Sequence, residues 1–570
     1  MDFDANYRQW LDSVHDPQLA AELKELADTA DAFYKDLEFG TGGLRGVIGA
    51  GTNRMNVYTV NKATQGLCDY LKTKSGGGSA AIAYDSRIKS KEFAKSAACV
   101  FAANGITAHI FNTLMPTPVL SYAVRALNCD VGIVITASHN PSKYNGYKVY
   151  GSDGCQITLE QADSVQAAIK KVAIFSGVKA LTYEKGVADG LIRLIDDSLL
   201  ERFLEDIGRC AINPGLLAQT DLSIVYTPLN GTGNIPVTRI LRRMGVKELT
   251  IVPEQQNPDG NFPTCQKPNP EERVAFEKAI ELGKTVGADL LLATDPDCDR
   301  VGAAVRDATG RYTLLTGNET GCLLLEYILS QRKKNGTLPE KPVIIKTIVT
   351  SALADLIAKD YGAEIINTLT GFKFIGEQIG LLEKAGEQNR YIFGFEESYG
   401  YLPGSYVRDK DAVAGSMLIA ELAAYHKLQG KTLLDALDAL YARYGCFRHR
   451  LISFAFEGIN GMEKMKRVTD ALRNGKDYTF AGLAATCLRD YLASEATDVA
   501  TGNKERINLP KSDVVLLALE NSCEIVVRPS GTEPKLKCYL TVKAITVVDA
   551  ERLLDEMQQD IADLLKKIGD

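Results

Sequence analysis

The sequence predicts an α/β fold: three similar mixed-sheet α/β domains followed by a smaller α+β C-terminal domain. Three observations carry that prediction. At 570 residues the chain is longer than one ordinary core can organise, so three or four domains are the natural partition. A unit of apolar strand, Pro/Gly-rich or charged exit, and helix recurs three times before about residue 447. Beyond that point the pattern changes to paired strands and a closing amphipathic helix. The expected domains are 1–205, 206–320, 321–446 and 447–570.

Composition narrows the function classes. With 45% apolar and 24% charged residues the chain has the make-up of a soluble globular protein. A net charge of −7 gives no electrostatic reason to expect nucleic acid or an anionic membrane as partner. Anionic small molecules stay open, because local Arg and Lys decide that. The start, MDFDANYRQWLDSVHD, lacks the basic n-region and apolar run of a signal peptide, and no stretch approaches the ~20 apolar residues of a membrane span. The twelve cysteines are scattered without a CxxC pair, which signals neither zinc nor a disulfide framework. A cytoplasmic setting is the simplest reading.

In chain order, residues 1–38 carry helical spacing through Leu19, Leu23 and Leu26. Phe39–Gly46 sets four glycines around Arg45 and reads as a loop able to approach a ligand closely, although by itself it fits a tight turn better. AIAYDSR (81–87) is a short strand, followed by a helix from about Lys89 to Asn104. AHIFN (108–112) is a strand that leads into the proline loop MPTPV. VGIVI (131–135) is an unbroken apolar run of the kind buried on both faces of a parallel sheet. The polar region 151–200 closes the first domain.

LSIVYTPLNGTGN (222–234) repeats the pattern, 253–273 reads as a long surface loop, and a helix over 274–286 feeds ADLLLATDPDCDRVG (288–302). KPVIIKTIVTS (341–351) opens the third series, continued by EIINTLTGFKFIG (364–376) and YIFGFEESYGYLPG (391–404). CEIVVRPSGTEPKLKCYLTVKA (523–544) reads as two antiparallel strands around a loop. The tail 547–567 lines up Leu553, Leu554, Met557, Ile561 and Leu564 on one stripe.

Chemistry concentrates at the strand exits. Strand 131–135 stops at Thr136-Ala137-Ser138-His139-Asn140-Pro141, and the carboxyl end of such a strand is where open α/β sheets bind ligands. A lone serine would be a polar strand exit; the neighbouring His139, the lysine at 148 and the later motifs favour a site. Asp295, Asp297 and Asp299 alternate on one exit loop, turning carboxylates toward a common point as a hard cation such as Mg²⁺ requires. As a plain solvated turn, three aspartates in five residues would repel one another without compensation. Arg528-Pro529-Ser530-Gly531-Thr532-Glu533-Pro534-Lys535 fits a phosphate grip and a plain hairpin turn about equally. Glu396-Glu397-Ser398 suits sugar hydroxyls or a surface turn, and Thr370–Lys373 and Arg408–Asp411 have similar standing.

TASHNPSKYNGYK, DPDCDR, FEES and RPSGTEPK, in this order, resemble the α-D-phosphohexomutase superfamily. The resemblance is to its phosphoglucomutase branch, with the type 2 phosphoglucomutase/phosphopentomutase-like members. It spans Arg45 to Lys535 and implies the four-domain fold reached above. It further implies that Ser138 is the phosphorylated serine, and that Asp295, Asp297 and Asp299 hold one Mg²⁺ together with the Ser138 phosphate. Lys148 matches the proton-transfer lysine, and Arg45, His139, Arg300 and Lys410 match other basic active-site positions. Thr370, Glu396 and Ser398 match sugar-binding positions. Arg528, Ser530, Gly531, Thr532 and Lys535 match the loop that holds the distal phosphate. Phe395 departs from the pattern, since many relatives have glycine before the first glutamate.

The implied reaction interconverts glucose 1-phosphate and glucose 6-phosphate through phosphoserine and glucose 1,6-bisphosphate. As a base, Lys148 would need a pKa well below ~10.4, which Arg45, Arg300 and Mg²⁺ would encourage. The rivals are a phosphomannomutase or phosphopentomutase of the same mechanism, a Mg²⁺-dependent sugar phosphatase, and a non-catalytic binding relative. The implied partner is a small sugar phosphate, with no nucleic acid or membrane, and the chain is expected as a monomer or weak homodimer.

Overall fold

The computed structural model describes residues 3–26, 28–40, 42–75, 78–456, 461–475, 478–530 and 535–569. They fall into two compact units, one made of Met1–Thr320 with Phe372–Thr432, the other of Gly321–Gly371 with Leu433–Asp570.

The first unit opens with the expected helical segment, divided into helices Phe3–Ser13, Pro17–Glu25 and Thr29–Phe33. The divisions come from two aspartates that start new helices: Asp16 accepts the Leu19 N–H at 2.9 Å and Asp28 that of Asp31 at 3.0 Å. Trp10, Leu23 and Phe33 close a small core of their own against Ala50.

The first sheet contains β1 (Gly43–Val47), β2 (Gly78–Tyr84), β3 (Ile106–Phe111), β4 (Val131–Ile135), β5 (Tyr144–Gly151) and β6 (Ile192–Ile195), in the order β1-β5-β4-β2-β3-β6. All five residues of β4 are buried, as the apolar run predicts. The sheet is nonetheless mixed: β2 runs parallel to β4 and β3, while β5 runs antiparallel to β4 and to β1. Two expectations are corrected here. The glycine-rich stretch ends in strand β1 rather than a loop, with Arg45 opposite Gly146. The polar region 151–200 includes β6, which pairs with β3 at the sheet edge. Glycine is required where β5 is squeezed between its neighbours. A Cβ on Gly146 would lie 2.4 Å from the Thr136 carbonyl oxygen and 2.9 Å from that of Leu44.

The second sheet holds β7 (Ser223–Thr227), β8 (Glu248–Ile251), β9 (Leu290–Thr294), β10 (Val301–Arg306) and β11 (Tyr312–Leu315), in the order β11-β10-β9-β7-β8. The acidic loop joins the antiparallel pair β9 and β10. Stretch 253–273 is largely irregular and at the surface, as expected, but it is anchored inward. It starts with a short helix, Pro253–Gln256, and buries Phe262, Cys265 and Asn269. Its aromatic finds a cationic partner that the sequence does not announce: the Arg87 guanidinium lies 5.0 Å from the Phe262 ring centre.

The third series contributes β12 (Val343–Thr347) and β13 (Glu364–Thr368), a parallel pair in the second unit. It also contributes the antiparallel pair β14 (Tyr391–Glu396) and β15 (Gly400–Leu402) in the first unit. The chain then builds an antiparallel C-terminal sheet in the second unit. Its strands are β16 (Cys446–Ala455), β17 (Thr479–Phe480), β18 (Leu483–Asp490), β19 (Glu495–Asp498), β20 (Lys504–Arg506), β21 (Val515–Leu519), β22 (Glu524–Pro529) and β23 (Lys535–Ala544). Their order is β16-β23-β22-β21-β18-β19-β20, with β17 beside β18. The predicted strand pair around RPSGTEPK is β22 and β23. The last helix, Val547–Gly569, covers β16 and β23 with Leu554, Met557, Ile561 and Leu565. Its fully buried stripe passes through Leu565 rather than Leu564, as a 3.6-residue turn carried on from Ile561 requires.

No helix among the described residues is long and apolar enough to cross a membrane. The twelve cysteines are free thiols.

In the second unit His449 stands between two hydroxyls, with Nε2 2.9 Å from Ser351 Oγ and Nδ1 3.1 Å from Thr541 Oγ1. Burial, with Arg448 and Lys346 nearby, pushes its pKa down to about 3. The unfolded chain takes up this proton near pH ~6.5, whereas the fold refuses it until near 3. Stability is therefore lost as pH falls from ~6.5 toward 3, by up to about 1.4 kcal/mol per pH unit. Denaturant melts of wild type and His449→Gln at a series of pH values should show a shallower loss in the variant. Equal slopes in the two proteins would contradict this.

Candidate active site

The strand ends bring a hydroxyl, three carboxylates and two lysines together in the first unit. Ser138 follows β4 and is 4% exposed. Its φ of 51° lies in the left-handed region, which costs a non-glycine residue about 1 kcal/mol or more, so its surroundings must impose it. In this conformation Ser138 Oγ donates to Asp295 Oδ2 at 2.8 Å and lies 3.3 Å from His139 Nδ1.

The acidic loop is folded by its own first member. Asp295 Oδ1 accepts the backbone N–H groups of Asp299 at 3.1 Å and Arg300 at 3.0 Å, which closes the turn and leaves Oδ2 for Ser138. The loop after β7 supports it from behind. Thr232 donates its N–H and its hydroxyl to the Pro296 carbonyl at 2.8 and 2.9 Å, and a Cβ on Gly231 would lie 2.4 Å from Pro296 Cα. Asp295, Asp297 and Asp299 are all buried, with ligand oxygens within 4.8 Å of one another.

At such separations each pair of charged carboxylates repels by roughly 3 kcal/mol at an effective dielectric of 20, so three charges need compensation. Two lysines supply it. Lys148 Nζ is 2.8 Å from Asp297 Oδ2 and 3.5 Å from Asp299 Oδ2, and Lys410 Nζ is 3.0 Å from Asp299 Oδ2. Burial and the neighbouring Asp297 and Asp299 push the Asp295 carboxyl well above its usual range. Burial would also raise Asp297, but Lys148, the hydrogen bond with Asp295 and Lys410 together outweigh it and hold this carboxyl low. Buried Asp297 Oδ1 and Asp299 Oδ1 have no hydrogen-bond partner among the described residues. Buried anionic oxygens without donors, grouped on one turn, fit a divalent cation such as Mg²⁺.

The lysine reverses one expectation. Burial works to lower the pKa of Lys148, yet Asp297 and Asp299 prevail and hold it above its ordinary value. Among the side chains around it, the carboxylates within 3.5 Å outweigh the charge of Lys410. His139 moves the other way. Burial, Arg300 and Arg45 push it down to about 2, which leaves a neutral imidazole beside Ser138.

The remaining predicted residues separate into two groups. Arg45 on β1 is near enough to Asp297, Asp299 and Arg300 for its charge to be felt by all three. Arg300 donates to Glu271 Oε1 at 2.6 Å and to the Ser398 carbonyl at 3.0 Å, tying the acidic turn to the loop after β14. Glu396 is buried at the end of β14, 3.9 Å from Lys410 Nζ. Ser398 is half-buried. Thr370, Arg528, Ser530 and Lys535 belong to the second unit, where the Ser530 N–H donates to the Lys535 carbonyl at 2.8 Å. Gly531 and Thr532 lie outside the described residues.

Several contributors carry no sequence signal. Thr117, expected in a proline loop but in fact the first residue of the helix Thr117–Ala126, donates its hydroxyl to Asp297 Oδ2 and its N–H to the Asp297 carbonyl, both at 2.9 Å. Tyr150 donates to Asp409 at 2.7 Å beside Lys410. Arg87 and Thr136 hold the Ser138 backbone, and Asp85 pairs with Arg87 behind them. Only the two prolines of MPTPV hinted at a ligand-facing loop.

Comparison with known proteins gives concordant results. Three family models match in succession: phosphoglucomutase/phosphomannomutase α/β/α domain I over residues 36–174, domain II over 201–310 and domain III over 316–444. The chain is 36% identical to a phosphoglucomutase of Staphylococcus aureus (strain USA300) over 550 residues, covering 96% of this chain and 97% of that protein. Among solved structures it is similar to Paramecium pp63/parafusin, a phosphoglucomutase in an open form (TM-score 0.67, 18% identity, 94% of this chain and 95% of that one). It is also similar to a phosphoglucomutase/phosphomannomutase family protein of Burkholderia thailandensis (TM-score 0.65, 18% identity, 92% and 97%). These two likenesses speak for the fold.

Replacing a carboxylate of the triad by its neutral isostere tests the cation site directly. Calorimetric titration with Mg²⁺ should show Asp297→Asn binding about tenfold more weakly or worse than wild type, because one of three anionic oxygens is lost. Equal affinity in the two proteins would contradict the assignment.

Proposed function

Because the chain belongs to the phosphoglucomutase/phosphomannomutase family, we propose that it interconverts glucose 1-phosphate and glucose 6-phosphate through phosphorylated Ser138 and glucose 1,6-bisphosphate. The single observation that carries the residue assignment is the Ser138 hydroxyl, 2.8 Å from Asp295 in the cluster that holds Asp297, Asp299 and Lys148.

Phosphorylated Ser138 gives its phosphoryl group to the free 6-hydroxyl of glucose 1-phosphate: the Oγ–P bond breaks and a new O–P bond forms. The 1-phosphoryl group of the resulting bisphosphate then returns to Ser138, and glucose 6-phosphate leaves. Lys148, whose Nζ lies 2.8 Å from Asp297 in the same cluster, is assigned the transfer of the sugar hydroxyl proton. Charged as it stands, it acts as the acid, protonating the sugar oxygen when a phosphoryl group returns to Ser138. The forward step uses its neutral form, as microscopic reversibility requires. His139 is neutral and adds no further positive charge beside Oγ. Arg45, Arg300 and Lys410 offset the negative charge of the phosphates. Asp295, Asp297 and Asp299, with the Ser138 phosphate, would hold Mg²⁺, which when bound would supply Lewis-acid neutralisation of charge on the transferring group.

Glu396, Ser398 and Thr370 are assigned to the sugar hydroxyls. Arg528, Ser530, Gly531, Thr532 and Lys535 are assigned to whichever phosphate is not reacting, which lets one site accept both isomers. The motif spellings support the type 2 phosphoglucomutase/phosphopentomutase-like branch, the recurring strand–loop–helix units support four domains at 1–205, 206–320, 321–446 and 447–570, and the scattered cysteines support a cytoplasmic location; the chain is proposed to be a monomer or weak homodimer. A second reading, phosphomannomutase or phosphopentomutase, rests on one departure from the motif pattern. Phe395, where many relatives have glycine, is fully buried and stacks on Phe393 with ring centres 5.4 Å apart. Ratios of kcat/KM on glucose, mannose and ribose 1-phosphates decide between the readings.

Ser138→Ala should keep the fold and lose mutase activity by roughly a thousandfold or more. Intact mass of the wild type should show one phosphoryl group that the variant lacks. Full activity in the variant, or phosphate on another residue, would contradict the assignment.

A further inference from the structure

We propose that Arg87 is a positioning residue that holds the nucleophile loop in its working shape by gathering four of its backbone carbonyls; this rests on Ser138 being the phosphoryl carrier. Arg87 Nη1 donates to the carbonyls of Pro141 at 3.0 Å and Tyr144 at 3.1 Å, while Nη2 donates to those of Ser138 and Asn140. One guanidinium thus spans the loop from residue 138 to residue 144.

The guanidinium is itself fixed. Nε lies 3.3 Å from Asp85 Oδ2, both side chains are wholly buried, and the ring of Phe262 lies 5.0 Å below. Asp85 is held in turn by the Ser90 hydroxyl at 2.7 Å and the Arg87 N–H at 2.9 Å. Asn145 closes the bracket by donating to Ser90 Oγ at 3.0 Å and to the Ile88 carbonyl at 2.9 Å.

The clamp acts where Ser138 is conformationally unusual. Its carbonyl is held by Arg87 and its N–H by Thr136 Oγ1 at 2.8 Å, so both peptide groups that define its left-handed φ of 51° are tied down. That φ directs Oγ at Asp295. Arg87 forms no hydrogen bond to Oγ, so its grip on the backbone is the same whether the hydroxyl is free or phosphorylated. The residue type is specific. A planar fork with five donors can serve four carbonyls at once, whereas a lysine ammonium has three donors at a single point.

The test compares Arg87→Lys and Arg87→Met with wild type and Ser138→Ala in the full-length enzyme. Arg87→Lys should fold and lose kcat by about tenfold or more, with KM for glucose 1-phosphate unchanged within about threefold, because the reacting group is misaligned while the sugar site is untouched. Single-turnover phosphorylation of Ser138 by glucose 1,6-bisphosphate should slow by the same factor. In Arg87→Met, added methylguanidinium should restore part of kcat and methylammonium should not. If Arg87→Met fails to fold, the kcat-against-KM split in Arg87→Lys decides. Wild-type kcat in a folded Arg87 variant, or kcat and KM worsening together, would overturn the clamp. An active Ser138→Ala would instead overturn the assignment of the nucleophile, whatever Arg87 does.

Discussion

The hydrogen bond from Ser138 to Asp295 is the contact on which the rest of the first unit depends. It joins the end of β4 in one sheet to the turn between β9 and β10 in the next, 157 residues apart in sequence. For it to form, the serine must adopt a left-handed backbone and the aspartate must be buried beside two others. Neither condition is favourable alone. The sequence meets the first with groups that bind the Ser138 peptide on both sides, and the second with lysines that reach the acidic turn from β5 and from the loop before the helix Ala412–Lys427.

Electrostatics then divides the labour among like residues. Asp295 spends one oxygen on closing its own turn and the other on the serine, whereas Asp297 and Asp299 keep oxygens without donors. A cation is accepted where anionic oxygens are left unsatisfied. Lys148, which with Lys410 neutralises the acidic turn, is also the group proposed to move the sugar proton. Charge balance and proton transfer therefore draw on the same side chain.

Much of the architecture was legible because it is written locally. VGIVI and LLLAT are continuous apolar runs, and such runs become buried strands whatever follows them. The acidic triad was legible for the same reason, since its three members lie on one turn. What the sequence hid depends on approach between distant segments. β1 has two glycines among its five residues, and its strand character comes from pairing with β5 about a hundred residues later. Arg87 looked like a polar strand exit because its partners are backbone carbonyls more than fifty residues away, which no side-chain pattern encodes. The direction of the Lys148 shift turns on the 2.8 Å to Asp297, a distance that spacing in sequence does not give. Thr370, Arg528, Ser530 and Lys535 belong to the second unit, and the roles proposed for them rest on motif spelling.

The central claim is that one hydroxyl and one divalent cation share the acidic turn. A crystal structure with Mn²⁺, measured at the manganese absorption edge, tests this most directly. The predicted result is a single strong anomalous peak at about 2.2 Å from oxygens of Asp295, Asp297 and Asp299, with the Ser138 oxygen or its phosphate as a further ligand. A peak bound elsewhere, or one at the triad with Ser138 turned away from it, would contradict the claim.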